Sequence, residues 1–437
     1  MSPVRVIHAS YVDVPATTMV SPEPIKLTAM EAQWVVVPVL QHVLLYEGED
    51  LPHFNDVLQS LSSSLAATLR SFAPLAGKLV HLEGTGDVAI VCSSSDGVGF
   101  IVAESDADIH RLAGDEEHDV RVLERLAPEV DMGELPTPVL AVQATRFEGG
   151  VAVGVTVHHG VADGWSLWTF VEAWATACRG ETRAATPCFD RSLVKLPGGQ
   201  ELARSFLRKY APNLPKAAYP APLLEDHARL TRRTFTLDAR NIQRLKERIV
   251  RLGEAHGAAP PSTFIAVVAL AWTCFARCKP FASDDDVMVG FLADARHRLE
   301  PPVDAGYFGA CLTGCIASLP ARELRDEHAL AAAARAVQEE VRKKTEDPMA
   351  GCNFLAPAFT VALERLMNVS GASSFRAYEL ADFGWGRPRR TENTRMNRDG
   401  QVALMRARDG LGVQVSVSLL EPAQMAEFKS QLLELVG

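Results

Sequence analysis

Two histidines and an aspartate close together mark the stretch Thr156-Val157-His158-His159-Gly160-Val161-Ala162-Asp163-Gly164-Trp165. A neutral imidazole can take a proton from a hydroxyl or an amine, which then attacks an electrophile. An aspartate four residues after His159 can orient the ring, as in a triad, or hold the loop by pairing with a distant arginine such as Arg296, itself flanked by Asp294. Two other chemistries fit less well. Adjacent histidines on a strand point to opposite faces and no third ligand is evident, so a metal site is not expected. No Gly-x-Ser-x-Gly elbow occurs, and Gly164-Trp165-Ser166 lacks the spacing a nucleophilic serine needs. A hydrogen-bonded structural histidine is the plain alternative, and it is the preferred reading for His158.

The elements around this stretch have to deliver it. Val139, Val142 and Ala144 begin a strand-like run through Phe147, Glu148-Gly149-Gly150 signals a turn, and Val151, Val153, Val155 and Val157 alternate with small residues. That is a hairpin ending at His158 and His159. From Ser166 to Arg179 the apolar residues Leu167, Phe170, Val171, Trp174 and Ala175 recur at helical spacing, so the histidines lie in a strand-to-helix loop. Gly160 and Gly164 make that loop tight.

Elsewhere the pattern mixes strands and helices. The first thirty residues read as an edge strand and an extended arm. Pro38 reads as a loop or bulge before a strand over 43–46, and Phe54 to Leu69 as an amphipathic helix. Prolines and glycines between Pro187 and Pro222 interrupt regular structure and suggest a long crossover between two halves. The second half opens with a strand over 233–237 and a helix capped by Asp238. A nearly all-apolar helix, Phe264 to Cys278, follows, and then a strand from Asp286 to Leu292, a helix from about Leu324 to Lys344, a hairpin and a last helix. This order is not strictly βαβ, so mixed or antiparallel sheets are expected, with a ligand channel between the halves.

With 437 residues and 47% hydrophobic content, the chain can bury a large core. No apolar run reaches 18 residues and the N-terminus shows no charged segment followed by a long apolar one, so no membrane partner and a cytoplasmic location are expected. A formal net charge of -10 argues against nucleic acid as the main partner. The eight cysteines are scattered and lack the paired spacing of a zinc site, which suggests free thiols, mostly buried.

A second unusual stretch is Tyr378-Glu379-Leu380-Ala381-Asp382-Phe383-Gly384-Trp385-Gly386-Arg387-Pro388. In order and spacing, His159-x-x-x-Asp163-Gly164 followed by Asp382-Phe383-Gly384-Trp385-Gly386 resembles the plant BAHD acyltransferase family, which moves acyl groups from coenzyme A thioesters to hydroxyls or amines. The resemblance runs over essentially the whole chain, with Phe72-Ala73-Pro74-Leu75-Ala76-Gly77-Lys78 and the segment from Gly290 to Arg296 also matching. It implies an α/β, two-domain chloramphenicol acetyltransferase-like fold with mixed sheets, flanking helices and a channel between domains. Residues 1–190 would form the domain with His159, 191–230 a crossover linker, and 231–437 the domain with Asp382 to Gly386. It implies His159 as general base, Asp163 as chiefly a strut paired with Arg296, and the indole of Trp385 as a candidate donor to the tetrahedral oxyanion. Asp382, Gly384 and Gly386 would support the site.

Within that family, the run Arg296 to Pro302 followed by Gly306-Tyr307-Phe308-Gly309-Ala310-Cys311 is similar to the subgroup acting on flavonoid, anthocyanin and other phenolic glycosides, many of them malonyltransferases of plant specialised metabolism. Ala310 stands where that subgroup carries Asn, so a hydroxycinnamoyl or other acyl group stays open beside malonyl. No cofactor is expected to be held permanently; acyl-CoA is the expected co-substrate and the chain is expected to be a monomer. Ser262 and Thr263 at the start of the apolar helix, and Arg387, are candidate coenzyme A contacts, with Ser262 also reading as a plain helix cap. An amine acceptor, a condensation-domain-like amide-forming enzyme and a catalytically idle binding protein are the alternatives.

Overall fold

The structure is a computed structural model that describes residues 4–437 apart from residues 19, 22, 38, 116, 132–133, 183–184, 209–228, 254–258, 351–361 and 397. Among the described residues the strands fall into three sheets. The first runs, from edge to edge, β1 (Arg5–Asp13), β6 (Gly97–Glu104), β8 (Leu140–Phe147), β9 (Gly150–Val157), β3 (Leu40–Glu47) and β14 (Arg390–Asn393). The second runs β10 (Thr231–Leu237), β16 (Val413–Leu419), β15 (Gln401–Arg406), β13 (Leu366–Gly371), β11 (Asp286–Asp294) and β12 (Leu312–Pro320). A smaller sheet joins β2 (Ile25–Lys26), β5 (Asp87–Val91), β4 (Lys78–Leu82) and β7 (Thr137–Pro138). Both large sheets are mixed: β6 pairs in parallel with β8, and β13 in parallel with both β11 and β15, the remaining pairs being antiparallel.

The hairpin that delivers the histidines is β8–β9, turned at Gly149 with a φ of 74°. Every residue of β9 is buried, because strands flank it on both sides and both of its faces are covered. On one face Val151, Val153, Val155 and Val157 meet the helices Phe54–Leu69 and Gly164–Cys178, which Trp174 joins by donating its indole N–H to the Leu61 carbonyl at 3.0 Å. On the other, Ala152 packs with Ile109, Val122, Leu123 and Leu126. Gly154 is forced by this second layer: a Cβ there would lie 2.0 Å from the Leu126 carbonyl oxygen. In the second half the helix Thr263–Cys278 is buried from Ile265 to Ala276, which explains its lack of a polar stripe.

Several boundaries depart from the periodicity. The helix expected over 324–344 is two pieces, Ala321–Arg325 and Ala329–Glu346, broken where the Asp326 carboxylate caps the His328 amide at 2.8 Å. Within the crossover the helix Gly199–Arg208 forms after a turn at Gly198 and buries Ala203, Phe206 and Leu207. The remainder of that crossover over 209–228, together with Pro38 and Cys352, lies outside the described residues. The seven described cysteines are free, with Cys274, Cys311 and Cys315 buried and the others partly so. No helix among the described residues is long and apolar enough to cross a membrane.

The second half also reaches into the first sheet. β14 pairs antiparallel with β3, so that His42 faces Asn393 and Leu44 faces Thr391. Between the sheets the buried Glu392 carboxylate accepts from Arg232 at 2.8 Å, Thr234 at 2.7 Å and Ser416 at 2.8 Å. Burial pushes that carboxyl up, but the guanidinium of Arg232, together with His118, Arg390 and the Thr234 hydroxyl, brings it down to about 2. Arg232→Met would strand a buried charge and is expected to cost about 3–5 kcal/mol at neutral pH, read as a lower urea midpoint. A carboxyl held below its ordinary 4.5 contributes stability that is present above that value and is lost as pH falls toward about 2. The gap between wild type and variant should therefore narrow over that window, and a gap that widened on acidification would refute this account.

Candidate active site

Strand β9 ends at Val157, and the chain turns at once: the His158 amide donates to the Val139 carbonyl at 2.8 Å, and the Val161 amide returns to the His158 carbonyl at 2.9 Å. The His158 ring completes this turn, its Nδ1 accepting the Gly160 amide at 3.0 Å. Full burial, with a smaller push from His159, lowers its pKa to about 3, so it stays neutral. His158 is a turn-former, in line with its sequence reading.

His159 points the other way. It is 8% exposed, lines a cavity of about 280 Å³ between the two large sheets, and stacks on Trp34 with ring centroids 4.7 Å apart and planes 14° from parallel. Its Nδ1 is buried, with no partner on any other described residue. With the proton on Nδ1, the Nε2 lone pair is the basic site. Burial lowers the pKa of the ring, opposed by its own main chain and by the Asp163 charge, so the imidazole is neutral at pH 7.

Asp163 is not bonded to that ring. It caps the helix Gly164–Cys178: Oδ1 accepts the Ser166 amide at 2.9 Å, and Oδ2 accepts from Arg296 at 2.8 Å and from the Cys311 amide at 3.1 Å. Of the two roles open to it, holding the loop is the one its bonds perform. Burial pushes its carboxyl up, but the Arg296 guanidinium and the two amides bring it below the usual range. The two terminal nitrogens of Arg296 also donate to Asp294 at 3.3 Å, to the Ser166 hydroxyl at 3.3 Å and to the Gly309 carbonyl at 2.8 Å, and the guanidinium lies over the Tyr307 ring. Segment 307–311 is gripped from its other side by Arg191, which bonds the Phe308 carbonyl at 2.7 Å and the buried Glu31 at 2.7 Å. Gly164 leaves room for Phe375, whose ring would lie 2.8 Å from a Cβ there.

The stretch Asp382 to Gly386 lies elsewhere. The Asp382 carboxylate accepts the amides of Gly384 at 2.9 Å and Gly386 at 3.1 Å, and both glycines take positive φ, 103° and 94°, as the tight loop requires. Phe383 is buried edge-on against Trp174 at 5.0 Å and stacks with Trp385 at 5.6 Å, and Trp385 meets Tyr46 edge-on at 5.9 Å. Trp385 does not line the His159 cavity. Tyr46 pairs with Val151 and Leu40 with Val157, so Tyr46 is six residues along β3 from the end beside His159, about 20 Å away. The expected indole donor to an oxyanion is therefore not met by this geometry, because the loop docks at the far end of the strand. Arg387, exposed beside it, shares that distance. Ser262 is the helix cap, its hydroxyl accepting the Ile265 amide at 3.2 Å, with Thr263 the first helical residue.

The cavity wall also holds residues that the motifs did not point to: His42, Thr391 and Asn393 from the first sheet, and Gln414 and Ser416 from the second. A polar residue between Leu40 and Leu44 on the inward face of an apolar strand was the available signal for His42.

A family model described as Transferase family matches residues 6–435. The chain belongs to this family, the BAHD acyltransferases. It is 30% identical to phenolic glucoside malonyltransferase 1 of Arabidopsis thaliana over 90% of this chain and 89% of the relative. It is likewise 30% identical to the malonyl-CoA:anthocyanidin 5-O-glucoside-6''-O-malonyltransferase of the same plant, over 96% and 95%. Among solved structures, vinorine synthase superposes with a TM-score of 0.75 at 23% identity, covering 99% of this chain and 98% of that one. TRI101 of F. sporotrichioides, complexed with coenzyme A and T-2, superposes with a TM-score of 0.70 at 18% identity, covering 93% and 97%. The acyltransferase's two-domain, chloramphenicol acetyltransferase-like architecture is the fold expected from the sequence.

The fixed pair gives a stability prediction. Asp163→Asn replaces a charged acceptor beside a buried guanidinium, and a loss of about 3–5 kcal/mol is expected in chemical denaturation. A variant as stable as wild type but slow would instead mean that Asp163 acts on the ring of His159.

Proposed function

We propose that this acyltransferase moves an acyl group from a coenzyme A thioester to a hydroxyl of a phenolic glycoside, with His159 as general base. The observation that carries the reading is a neutral imidazole lining the cavity between the sheets, on a loop immobilised by Asp163 and Arg296. In the proposed step His159 Nε2 takes the proton of the acceptor hydroxyl as its oxygen bonds to the thioester carbonyl carbon. The tetrahedral intermediate then collapses, the carbon–sulfur bond breaks, and the imidazolium returns its proton to the departing thiolate. A volume of about 280 Å³ suits the acyl group and the reacting part of the acceptor rather than a whole acyl-CoA, whose nucleotide end would stay outside.

The glucoside malonyltransferase relatives support malonyl as one donor class, and a hydroxycinnamoyl group is the other. For the nucleotide end, the start of the helix Thr263–Cys278 is better supported than Arg387. Phe264 packs on Phe291 at 5.5 Å, on the face of β11 opposite the cavity-lining Leu292, so the helix start borders the sheet that walls the cavity. Arg387 sits beside the far end of β3. No resident cofactor takes part, and the chain is proposed to act as a cytoplasmic monomer.

His159→Ala should reduce thiol release from acyl-CoA by at least 10²-fold while leaving the thermal midpoint near wild type. A surviving rate within about tenfold would contradict general-base work by this residue. Because burial lowers the pKa of His159 below its ordinary 6.5, kcat/KM should stay level as pH falls to that value and decline only below it. An acid limb with its midpoint above 6.5 would contradict the assignment.

A further inference from the structure

The cavity holds a second imidazole with no assigned work. His42 lies on β3 two residues from Leu40, whose partner Val157 ends the strand that leads to His159, and it faces Asn393 across the β3–β14 pairing. Its ring lines the cavity and is set edge-on to Trp168 at 5.2 Å, and its buried Nδ1 has no partner among the described residues. Thr391, two residues before Asn393 on β14, shares that face of the sheet. It also lines the cavity, is fully buried, and its hydroxyl likewise has no partner among the described residues. Unpartnered buried polar groups cost free energy that a bound ligand can recover, so two on one wall mark where polar ligand atoms belong.

The chemistry of the wall narrows the ligand. His42 is neutral, burial having lowered its pKa to about 4 against the pull of Glu392, so it offers one donor and one acceptor. The threonine hydroxyl also donates and accepts, and Asn393, Gln414 and Ser416 beside them are uncharged. Neutral groups that both give and take hydrogen bonds match adjacent hydroxyls rather than a carboxylate or an ammonium group. His42 and Thr391 are diagonal neighbours across the β3–β14 pairing, about 7–8 Å apart, a span a hexose ring covers.

We propose that His42 and Thr391 determine acceptor specificity by hydrogen bonding the hydroxyls of a sugar ring whose reacting hydroxyl meets His159. The inference rests on the acyltransferase reading above. It assigns the sugar, rather than the phenolic part, to the strand pairing between the two halves of the chain.

The test uses quercetin 3-glucoside against quercetin, with wild type, Thr391→Val, Thr391→Ser, His42→Leu and His42→Gln. KM for the glucoside is read from thiol release at saturating acyl-CoA, and Kd for the glucoside alone by calorimetry. Thr391→Val and His42→Leu should each raise both values about tenfold, in keeping with the loss of one hydrogen bond, while Thr391→Ser and His42→Gln recover most of the loss. Quercetin itself should show no comparable rise in Kd. Glucoside values within twofold of wild type in both truncations, or equal losses for glucoside and quercetin, would overturn the assignment. If wild type releases no thiol yet binds the glucoside in a Thr391-dependent way, the sugar ledge stands and the acyl-transfer reading falls. If wild type does not bind the glucoside at all, the ledge falls. The two positions are substituted separately, so that if a variant at one fails to fold, the variants at the other still decide between these outcomes.

Discussion

The buried ion pair between Asp163 and Arg296 is the constraint on which the rest of the site depends. Removing a carboxylate and a guanidinium from water carries a penalty of several kcal/mol for each ion, and attraction offsets it only when the remaining hydrogen-bonding capacity is used. Here it nearly is: the carboxylate takes two main-chain amides besides the arginine, and the guanidinium reaches the Ser166 hydroxyl and the Gly309 carbonyl. Asp163 and Arg296 follow β9 and β11, and their partners come from the first turn of the helix Gly164–Cys178 and from the chain leading into β12. One pair thus ties together the segments whose relative position fixes the His159 loop.

That arrangement separates chemistry from support. An imidazole bonded to a carboxylate is oriented and made more basic, as in a triad. His159 has instead a stacked Trp34 and its own main chain, with the Asp163 carboxylate turned away toward Arg296. Its basicity is set mostly by burial, which keeps the ring neutral, as the proposed general base has to be.

The second half of the chain supports the first through packing. Phe383 wedges against Trp174 on the helix that Asp163 caps, and the Arg179 guanidinium at that helix's end bonds the Asp382 carbonyl. The helix is therefore held at its start by the ion pair and at its end by the glycine-rich loop. β14 adds an edge to β3, bringing Thr391 and Asn393 beside His42 and completing a cavity wall that neither half provides alone.

Much of this was legible from local pattern. The hairpin over 140–157, the helix that follows the histidine loop and the buried helix 263–278 follow from periodicities of two and 3.6 and, for the last, from cap chemistry at Ser262, which need only neighbours in sequence. The pairing of Asp163 with Arg296 was expected from the family resemblance and was found. The glycine-rich loop was expected beside the channel, but its aromatic rings have a better apolar site at the far end of β3. Nothing local announces that choice. The types of the candidate site residues, the turn that presents His159 and the family to which the chain belongs were determined by the sequence alone. Which residues share the cavity was decided by tertiary structure. A four-residue strand from 390–393 carries no signal of the partner it will choose, and that partner decides what faces His159.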